Sequence, residues 1–468
     1  MNRCATARLA VGIFFPQRLL LKLDTHGYSA TVLHKIIGTA GQVKSHKVAA
    51  QVVKLVGDID ISGRHINRLT EEIGREMQER RDQETEDYVH HRRQPPQPSP
   101  PQVAAIALDG GRLQTRATGQ GTGVHDQQWK EDKVACLLAL ECPTFAADPH
   151  PEPPRCFLDA PGVDEMVRDI QAHHGARQED ELPQLAELGL GRPPPVAAAP
   201  PVAAAPATAA APVPPTAAAK TEAATAAPAA TKDPDWPPRR SKDSRSCVAT
   251  LQDSAAFGKM VAAEAYRRHF QGAERGALLG DGGAWIWTLH AKWFRWLTPV
   301  ADFVHPLTYL YVTATVLAGS VAERWQWYVA WMTACWQGRV RAVIDELDRR
   351  LEQLGPYPGT GKPPPTEPRE VLRRTLTYLR HNAPRMNYPE YRRQGLPVTS
   401  SMVESTIKEM NYRVKGTEKF WDNPEGAEAI LQVRAALLSD DNRLAQHIAQ
   451  RPGNAFRRHH KRKPRQAT

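Results

Sequence analysis

The chain has 468 residues, a length that predicts two or three domains, and its 40 prolines indicate that part of it does not pack into a core. Apolar residues make up 41% of the sequence, and a net charge of +10 fits a polyanionic partner such as nucleic acid. Six scattered cysteines without a CxxC pair argue against both a disulfide framework and a zinc site.

Neither apolar stretch of the chain predicts membrane insertion. The start, MNRCATARLAVGIFFPQRLLLKL, resembles a signal peptide only weakly, because its apolar stretch is short and no A-x-A cleavage site follows. Residues 304–321 contain His305, Pro306 and three threonines, which favours a buried helix. We therefore expect a cytoplasmic, nucleoid-associated protein with no membrane partner.

Residues 30–95 have the pattern of helices. A first helix is predicted to end at Gly57-Asp58, and Ser62 is suited to cap a second helix whose apolar face begins at Ile66. Two helices around a short turn predict a helix-turn-helix, a common DNA-reading unit. An ordinary helical hairpin is the alternative interpretation.

The middle of the chain combines strand patterns with a low-complexity segment. After a proline linker, VAAIALDGGRLQTRATG predicts a buried strand that ends at Asp109, a Gly-Gly turn and a second strand. Residues 133–141 predict another strand, and the Ala, Pro and Thr of residues 193–232 predict an extended tether. Residues 247–270 predict a helix, and GALLGDGGAWIWTLH predicts a strand that ends at Asp281, a glycine turn and a helix.

The C-terminal half is predicted to be mainly helical. Eight of the eleven tryptophans fall between Trp285 and Trp336, several at helical spacing, which indicates an aromatic core. Residues 338–354 predict an amphipathic helix, and helices resume near 368 after a loop. The last residues include FRRHHKRKPR, which predicts a disordered basic tail.

Three acidic residues stand at special points of this pattern: Asp109 and Asp281 at predicted strand ends, and Glu404 at the start of a predicted helix. Carboxylates at strand ends face the cleft in which ligands bind. Their oxygens suit Mg²⁺ or Mn²⁺, and two such ions about 4 Å apart can act on a phosphodiester. As alternatives, each aspartate simply forms a turn, and Glu404 completes a capping box with Ser401.

Four segments, ALDGGRLQTR, LLGDGGAWIW, DFVHPLTYLY and GLPVTSSMVESTIKEMNYRVKGTEKFW, resemble the successive motifs of bacterial insertion-sequence transposases of the DDE class. IFFPQRLLLKLDTHGYSATVLHKI and KVAAQVVKLVGDIDISGRHINRLTEEIG are similar to the helical region that leads this family. The resemblance covers most of the chain outside the tether and the tail. It implies an RNase H-like catalytic core in which Asp109, Asp281 and Glu404 are the catalytic acids and the ligands of two Mg²⁺ or Mn²⁺ ions.

Two further residues are implied by the resemblance. Asp302 and His305 in DFVH match a position at which relatives carry a C-x-x-H pattern. Aspartate in place of cysteine argues against a metal role for this pair. Asp302 is nevertheless a reserve candidate for the second acid, and His305 is expected to orient DNA or a neighbouring group.

The helix after Glu404 is predicted to contact DNA. Lys408 and Lys415 share the face of Glu404 at helical spacing, and Arg413 and Lys419 add positive charge nearby. The alternative is a solvated face with an internal Glu404–Lys408 pair. The predicted basic surface is extended by six arginines: Arg373, Arg374, Arg380, Arg385, Arg392 and Arg393.

The expected fold is α/β, an RNase H-like mixed sheet with a helical N-terminal DNA-binding region and a helical insertion before the catalytic glutamate. Seven segments are predicted: 1–92, helical and helix-turn-helix-like; 103–160, first part of the core; 161–246, Pro/Ala-rich insertion; 247–303, second part of the core; 304–395, helical insertion; 396–450, Glu404-bearing helices; and 451–468, basic tail.

The implied activity is metal-dependent cleavage at transposon ends and strand transfer into target DNA, by a homo-oligomer. An RNase H-like nuclease that cuts without joining is one alternative. A non-catalytic DNA-binding protein derived from a decayed transposase is the other.

Overall fold

A computed structural model gives the architecture of the chain. It describes residues 23–94, 96, 98–115, 128–173, 182–191, 237–399, 406, 409–410, 412–414, 421 and 424–451. The N-terminal apolar stretch, the tether at 193–232 and the basic tail after Arg451 therefore lie outside the described residues.

A mixed five-stranded sheet lies at the centre of an α/β fold. Its strands are β1 (Val103–Thr115), β2 (Gln128–Glu141), β3 (Arg239–Thr250), β4 (Arg275–Gly280) and β5 (Thr298–Ala301). They are arranged in the order β3-β2-β1-β4-β5. β2 is antiparallel to β1 and β3, whereas β4 is parallel to β1 and β5. The α/β class predicted from the sequence is confirmed.

Helices surround this sheet. They are α1 (Ala30–Gln42), α2 (His46–Gly57), α3 (Gly63–Val89), α4 (Ala160–His173), α5 (Ser254–Arg267), α6 (Ala284–Trp293), α7 (Val304–Leu317), α8 (Val321–Trp336), α9 (Val340–Leu354), α10 (Pro368–Asn382), α11 (Tyr388–Arg393), α12 (Pro424–Leu438) and α13 (Arg443–Gln450). None of the helices within the described ranges is long and apolar enough to cross a lipid bilayer.

The predicted turn at Gly110-Gly111 was wrong. β1 continues through both glycines because they pair with Lys133 and Asp132 of β2. A built Cβ on Gly111 would lie 2.6 Å from the Asp132 carboxylate. The two glycines therefore leave room for β2 side chains and do not reverse the chain.

The start of the helix predicted at 247–270 was also wrong. Residues 247–250 belong to β3, where they pair with β2. The helix begins at Ser254, because the Asp253 carboxylate accepts a hydrogen bond from the Ala256 amide at 2.8 Å. The apolar run alone did not distinguish a buried strand from a helix.

The N-terminal helices pack on the sheet-bearing part of the molecule. As predicted, the first helical pattern ends at Gly57, and the Ser62 hydroxyl caps α3 by accepting from the His65 amide at 3.2 Å. α3 lies against α5 and α12. It approaches α12 most closely at Gly74, where an added Cβ would overlap with the backbone of Ala429.

The tryptophan-rich region forms a buried aromatic core, as predicted. Trp331 and Trp336 of α8 are among the largest fully buried side chains of the described residues. Phe303 packs edge-on against Trp336, at 4.9 Å between ring centroids. This packing holds the helices from α7 through α11 together beside the end of β5.

Candidate active site at the ends of three parallel strands

The parallel part of the sheet brings three aspartates to one edge. Leu108 of β1 pairs with Gly280 of β4, and Gly280 pairs with Ala301 of β5. The next residues on the three strands are Asp109, Asp281 and Asp302. Asp109 lies inside β1 and not at its end, but the parallel pairing with β4 stops there.

Asp109 is half-buried, and its carboxylate accepts a hydrogen bond from the Gly110 amide at 2.7 Å. Burial and the negative charges of Asp281 and Asp132 raise its pKa to about 7, and the charge of His305 and the Gly110 hydrogen bond oppose this effect only in part. The side chains of Asp109, Asp281, Asp132 and His305 therefore share one electrostatic environment. Near neutral pH, both the protonated and the ionised form of Asp109 are therefore populated.

Asp281 is held in a turn between β4 and α6. One carboxylate oxygen accepts from the Gly283 amide at 2.8 Å, and its backbone carbonyl accepts from the Tyr378 hydroxyl at 2.9 Å. Gly282 has a φ of +104°, and a Cβ there would lie 2.7 Å from atoms of Asn382 and Tyr378. The turn interpretation of Asp281 therefore holds. It is compatible with a ligand role, because a carboxylate has about four acceptor sites.

Asp302 is almost fully buried beside these two residues. Its amide donates to Gly280 at 2.8 Å, which extends the β4–β5 pairing by one residue, and its carboxylate accepts from the Val304 amide at 3.2 Å. The second carboxylate oxygen lies 4.0 Å from Nε2 of His305. Since His305 also influences Asp109, the Asp302–His305 pair adjoins Asp109 and Asp281.

Asp132 also belongs to this site, although the sequence analysis missed it. It pairs with Gly111, two residues beyond Asp109, so its side chain projects from the same face of the sheet as Asp109. It is 1% exposed. A polar run such as Lys-Glu-Asp-Lys gives no signal for this role, because only the register with β1 brings one of its acids to Asp109.

The third predicted acid, Glu404, lies outside the described residues, as do Lys408, Lys415 and Lys419. Two described neighbours nevertheless lie close to the sheet. The Thr406 hydroxyl accepts from Arg245 at 3.1 Å and hydrogen-bonds with Cys136, which projects from the same face as Asp109. The Trp421 amide donates to Gln114 near the end of β1 at 2.9 Å.

Arg413, predicted to contact DNA, is buried in the protein. Its guanidinium donates to the carbonyl of Ala40 at 2.8 Å and lies 3.0 Å from Nε2 of His46. Burial and the Arg413 charge lower the pKa of His46 to about 4, so a neutral imidazole accepts this hydrogen bond. Arg434 similarly donates to Gly41 at 3.1 Å. Arg413 thus binds the C-terminal end of α1, which corrects its assignment as a surface DNA contact.

No group of three or more His, Cys, Asp or Glu side chains that could hold a metal ion is found within the described part of the chain. Asp109 and Asp281 form a carboxylate pair there, and Glu404 is outside that part. In comparisons with known proteins, the chain matches no protein-family model and no curated protein.

Proposed function

We propose that this protein is a DDE-class DNA transposase, which cuts DNA at transposon ends and joins the freed ends to target DNA. The observation that carries the proposal is the position of Asp109 and Asp281, each one residue beyond the Leu108–Gly280 pair of two neighbouring parallel strands. The motif resemblance independently selects these two residues as the first and second catalytic acids. A mixed sheet whose adjacent strands carry such acids supports an RNase H-like core.

The donor set fits Mg²⁺ or Mn²⁺. Burial and the charges of Asp281 and Asp132 raise the pKa of Asp109, so the fully ionised site is unfavourable unless a cation offsets the repulsion. Carboxylate oxygens are the ligands that these hard cations prefer. Asp109 and Asp281 would hold the metal, with Glu404 completing the set, and two bound ions would supply activation of the attacking oxygen and stabilisation of the leaving oxygen.

The surrounding residues have positioning roles in this proposal. Tyr378 and Asn382 fix the Gly282 turn and thereby the direction of the Asp281 carboxylate. His305 is poised beside Asp109 and Asp302, where it can donate to a carboxylate or to a bound phosphate. Thr406 and Trp421 tie the segment that follows Glu404 to the face and the end of the sheet that carry Asp109.

The proposed partners are transposon-end DNA and target DNA, and the family resemblance implies a homo-oligomer that brings two ends together. The N-terminal helices α1 to α3 are proposed to take part in end recognition. α2 and the start of α3 are joined by a short turn, as in a helix-turn-helix.

The test is metal-dependent cleavage and joining of the element's end DNA by wild type, Asp109→Asn, Asp281→Asn and Glu404→Gln. We expect wild-type activity with Mg²⁺ or Mn²⁺ and a loss of at least about 100-fold in each variant, while DNA binding survives. Asp345→Asn on the exposed side of α9 is the matched control and should retain full activity.

Two other outcomes would redirect the proposal. Cleavage without any joined product would identify a nuclease that does not transfer strands. DNA binding without cleavage by the wild type would identify a DNA-binding protein derived from a transposase. Normal transposition by the Asp281→Asn variant would refute the site assignment.

A further inference from the structure

The segments that flank the Asp281 turn carry positive charge without acids. Residues 284–301 contain Lys292, Arg295 and a histidine, and no Asp or Glu. Residues 371–389 contain four arginines and a histidine, again with no Asp or Glu. The two segments therefore carry a net positive charge beside the Asp281 turn.

The two segments lie against each other. The Trp287 indole donates to the Asn382 side chain at 3.0 Å, and the Arg385 guanidinium lies over the Trp287 ring at 4.5 Å. Gly282 packs against Tyr378 and Asn382. α6 and the end of α10 therefore form one surface that begins next to Asp281.

The cations of these two segments differ in whether an acid neutralises them. Among the described residues, Lys292, Arg295 and Arg385 form no ion pair with a carboxylate, whereas other arginines of α10 do. Arg373 and Arg374 pair with Glu370, and Arg380 pairs with Asp348.

The contacts that these three cations do make involve aromatic rings and backbone carbonyls. Lys292 lies 5.5 Å from the Trp293 ring, Arg295 donates to the Ala291 carbonyl, and Arg385 donates to the His381 carbonyl at 2.9 Å. Their positive charge remains available to an external anion.

The surface is also accessible and backed by aromatic residues. Lys292 and Arg295 are exposed, Arg385 is partly exposed, and Trp296 is 37% exposed. The outer side of α6 otherwise carries Ala284, Thr288 and Ala291, which are small and exposed. This outer side of α6 allows a DNA strand to approach the helix backbone closely.

We propose that a surface made of Lys292 near the end of α6, Arg295 and Trp296 just after α6, and Arg385 just after α10 binds the phosphate backbone of the DNA that enters the acidic site. The inference rests on the proposed function and deepens it, because it names DNA-binding residues of which only Arg385 was selected by the sequence pattern. α6 is about 15 Å long, which corresponds to about four phosphates of one strand at 3.4 Å spacing along the duplex axis.

The physical basis is charge complementarity. Acids at the site repel a polyanion, and a neighbouring cationic surface offsets this repulsion and holds the strand in register. Lysine and arginine side chains that contact phosphates release counterions, so their contribution to binding falls with salt concentration. Trp296 adds an apolar face against which a sugar or an unpaired base packs.

The test measures binding of a short fluorescein-labelled DNA duplex by anisotropy, in EDTA and over a series of salt concentrations. The variant K292Q/R295Q/R385Q is compared with R339Q/R341Q/R349Q. The control removes the same charge from exposed positions at the start and along the outer side of α9. EDTA suppresses cleavage, so the measurement does not depend on catalytic activity.

We expect the surface variant to bind at least about tenfold more weakly at low salt, and the slope of log Kd against log salt to fall by about two to three. The control should keep the wild-type slope. A surface variant with the wild-type slope, or an equal loss in both variants, would overturn the proposal. A wild type that binds an RNA duplex and not a DNA duplex would also overturn it.

A single substitution tests whether the triple variant loses binding only because it misfolds. Arg295→Gln alters an exposed side chain whose described contact is the Ala291 carbonyl, so the fold should be retained, and the slope should fall by about one. Loss of binding by the surface variants in a protein that never cleaves DNA would uphold the surface and refute the catalytic proposal. Normal cleavage by surface variants whose DNA binding is unaltered would uphold the catalytic proposal and refute the surface.

Discussion

Asp109 and Asp281 occupy the same level of two adjacent parallel strands, one residue beyond the Leu108–Gly280 pair. Burial and the negative charge of Asp281 raise the pKa of Asp109 to about 7. A site built in this way gains stability from a proton or from a metal cation. The following predictions test this relationship and the packing that supports it.

The first prediction concerns the pH dependence of stability without metal. The folded-state pKa of Asp109 is about 7, above its usual value near 4, so the stabilising contribution of its protonated form is present below about pH 4 and lost as pH rises through about 7. Asp109→Asn lacks this titration. In EDTA, its Tm relative to wild type should therefore rise between about pH 5 and pH 8, as thermal unfolding can measure.

The control for this experiment is Asp60→Asn, which alters a highly exposed carboxylate. Its Tm difference from wild type should not change over the same pH range. Parallel pH profiles for wild type and Asp109→Asn would show that Asp109 has an ordinary pKa.

The second prediction concerns metal binding. A cation that binds only the folded protein at 100 times its Kd should stabilise it by about 2.7 kcal/mol. Mn²⁺ should therefore raise the Tm of wild type at neutral pH. Asp281→Asn should lose most of this increase, because it removes one ligand, while Asp345→Asn should keep it. An Asp281→Asn protein that responds to Mn²⁺ as wild type does would place the cation elsewhere.

The third prediction tests how α3 packs against α12. Gly74→Ala should destabilise the protein by at least about 2 kcal/mol, because the new methyl group overlaps with the backbone of Ala429, which cannot move aside as a side chain does. Gly38→Ala in α1 meets no atom within 4 Å and should stabilise the protein by about 0.5 kcal/mol or more. Urea unfolding of both variants measures the difference. Equal effects would contradict the close α3–α12 crossing.

The fourth prediction separates a structural arginine from a DNA contact. Arg413→Lys should lower the Tm, because a lysine cannot keep both the Ala40 hydrogen bond and the His46 contact. It should leave the salt dependence of DNA binding unchanged, since the side chain is 3% exposed. If the slope of log Kd against log salt falls by about one in this variant, Arg413 contacts DNA as predicted from the sequence.

Arg451→Lys is the matched control for that variant. Arg451 is partly buried and binds Glu72 and Glu76 of α3 at 2.7 and 2.8 Å, but it contacts no described residue of the Thr406 to Trp421 segment. Both variants should lose stability. We expect only Arg413→Lys to lose cleavage activity as well, because it loosens the segment that follows Glu404.

Local sequence predicted much of the fold, including the strands that lead into Asp109 and Asp281. Apolar runs predicted the buried part of β1 and β4, and the glycines after Asp281 predicted the turn, because these preferences act between residues close in the chain. The end of α2 and the start of α3 at the Ser62 cap were predicted for the same reason. At Gly110-Gly111 the same preference misled, since pairing with β2 overrides the tendency of two glycines to turn.

Only the tertiary structure decided which of these groups meet. Asp132 reaches Asp109 through the register of β2 with β1, Arg385 reaches Trp287 through the packing of α10 on α6, and Arg413 is buried because α1 covers it. Each relationship joins residues that are distant in the sequence. Strand register, helix packing and burial depend on the free energy of the whole core, which no local pattern of residues encodes.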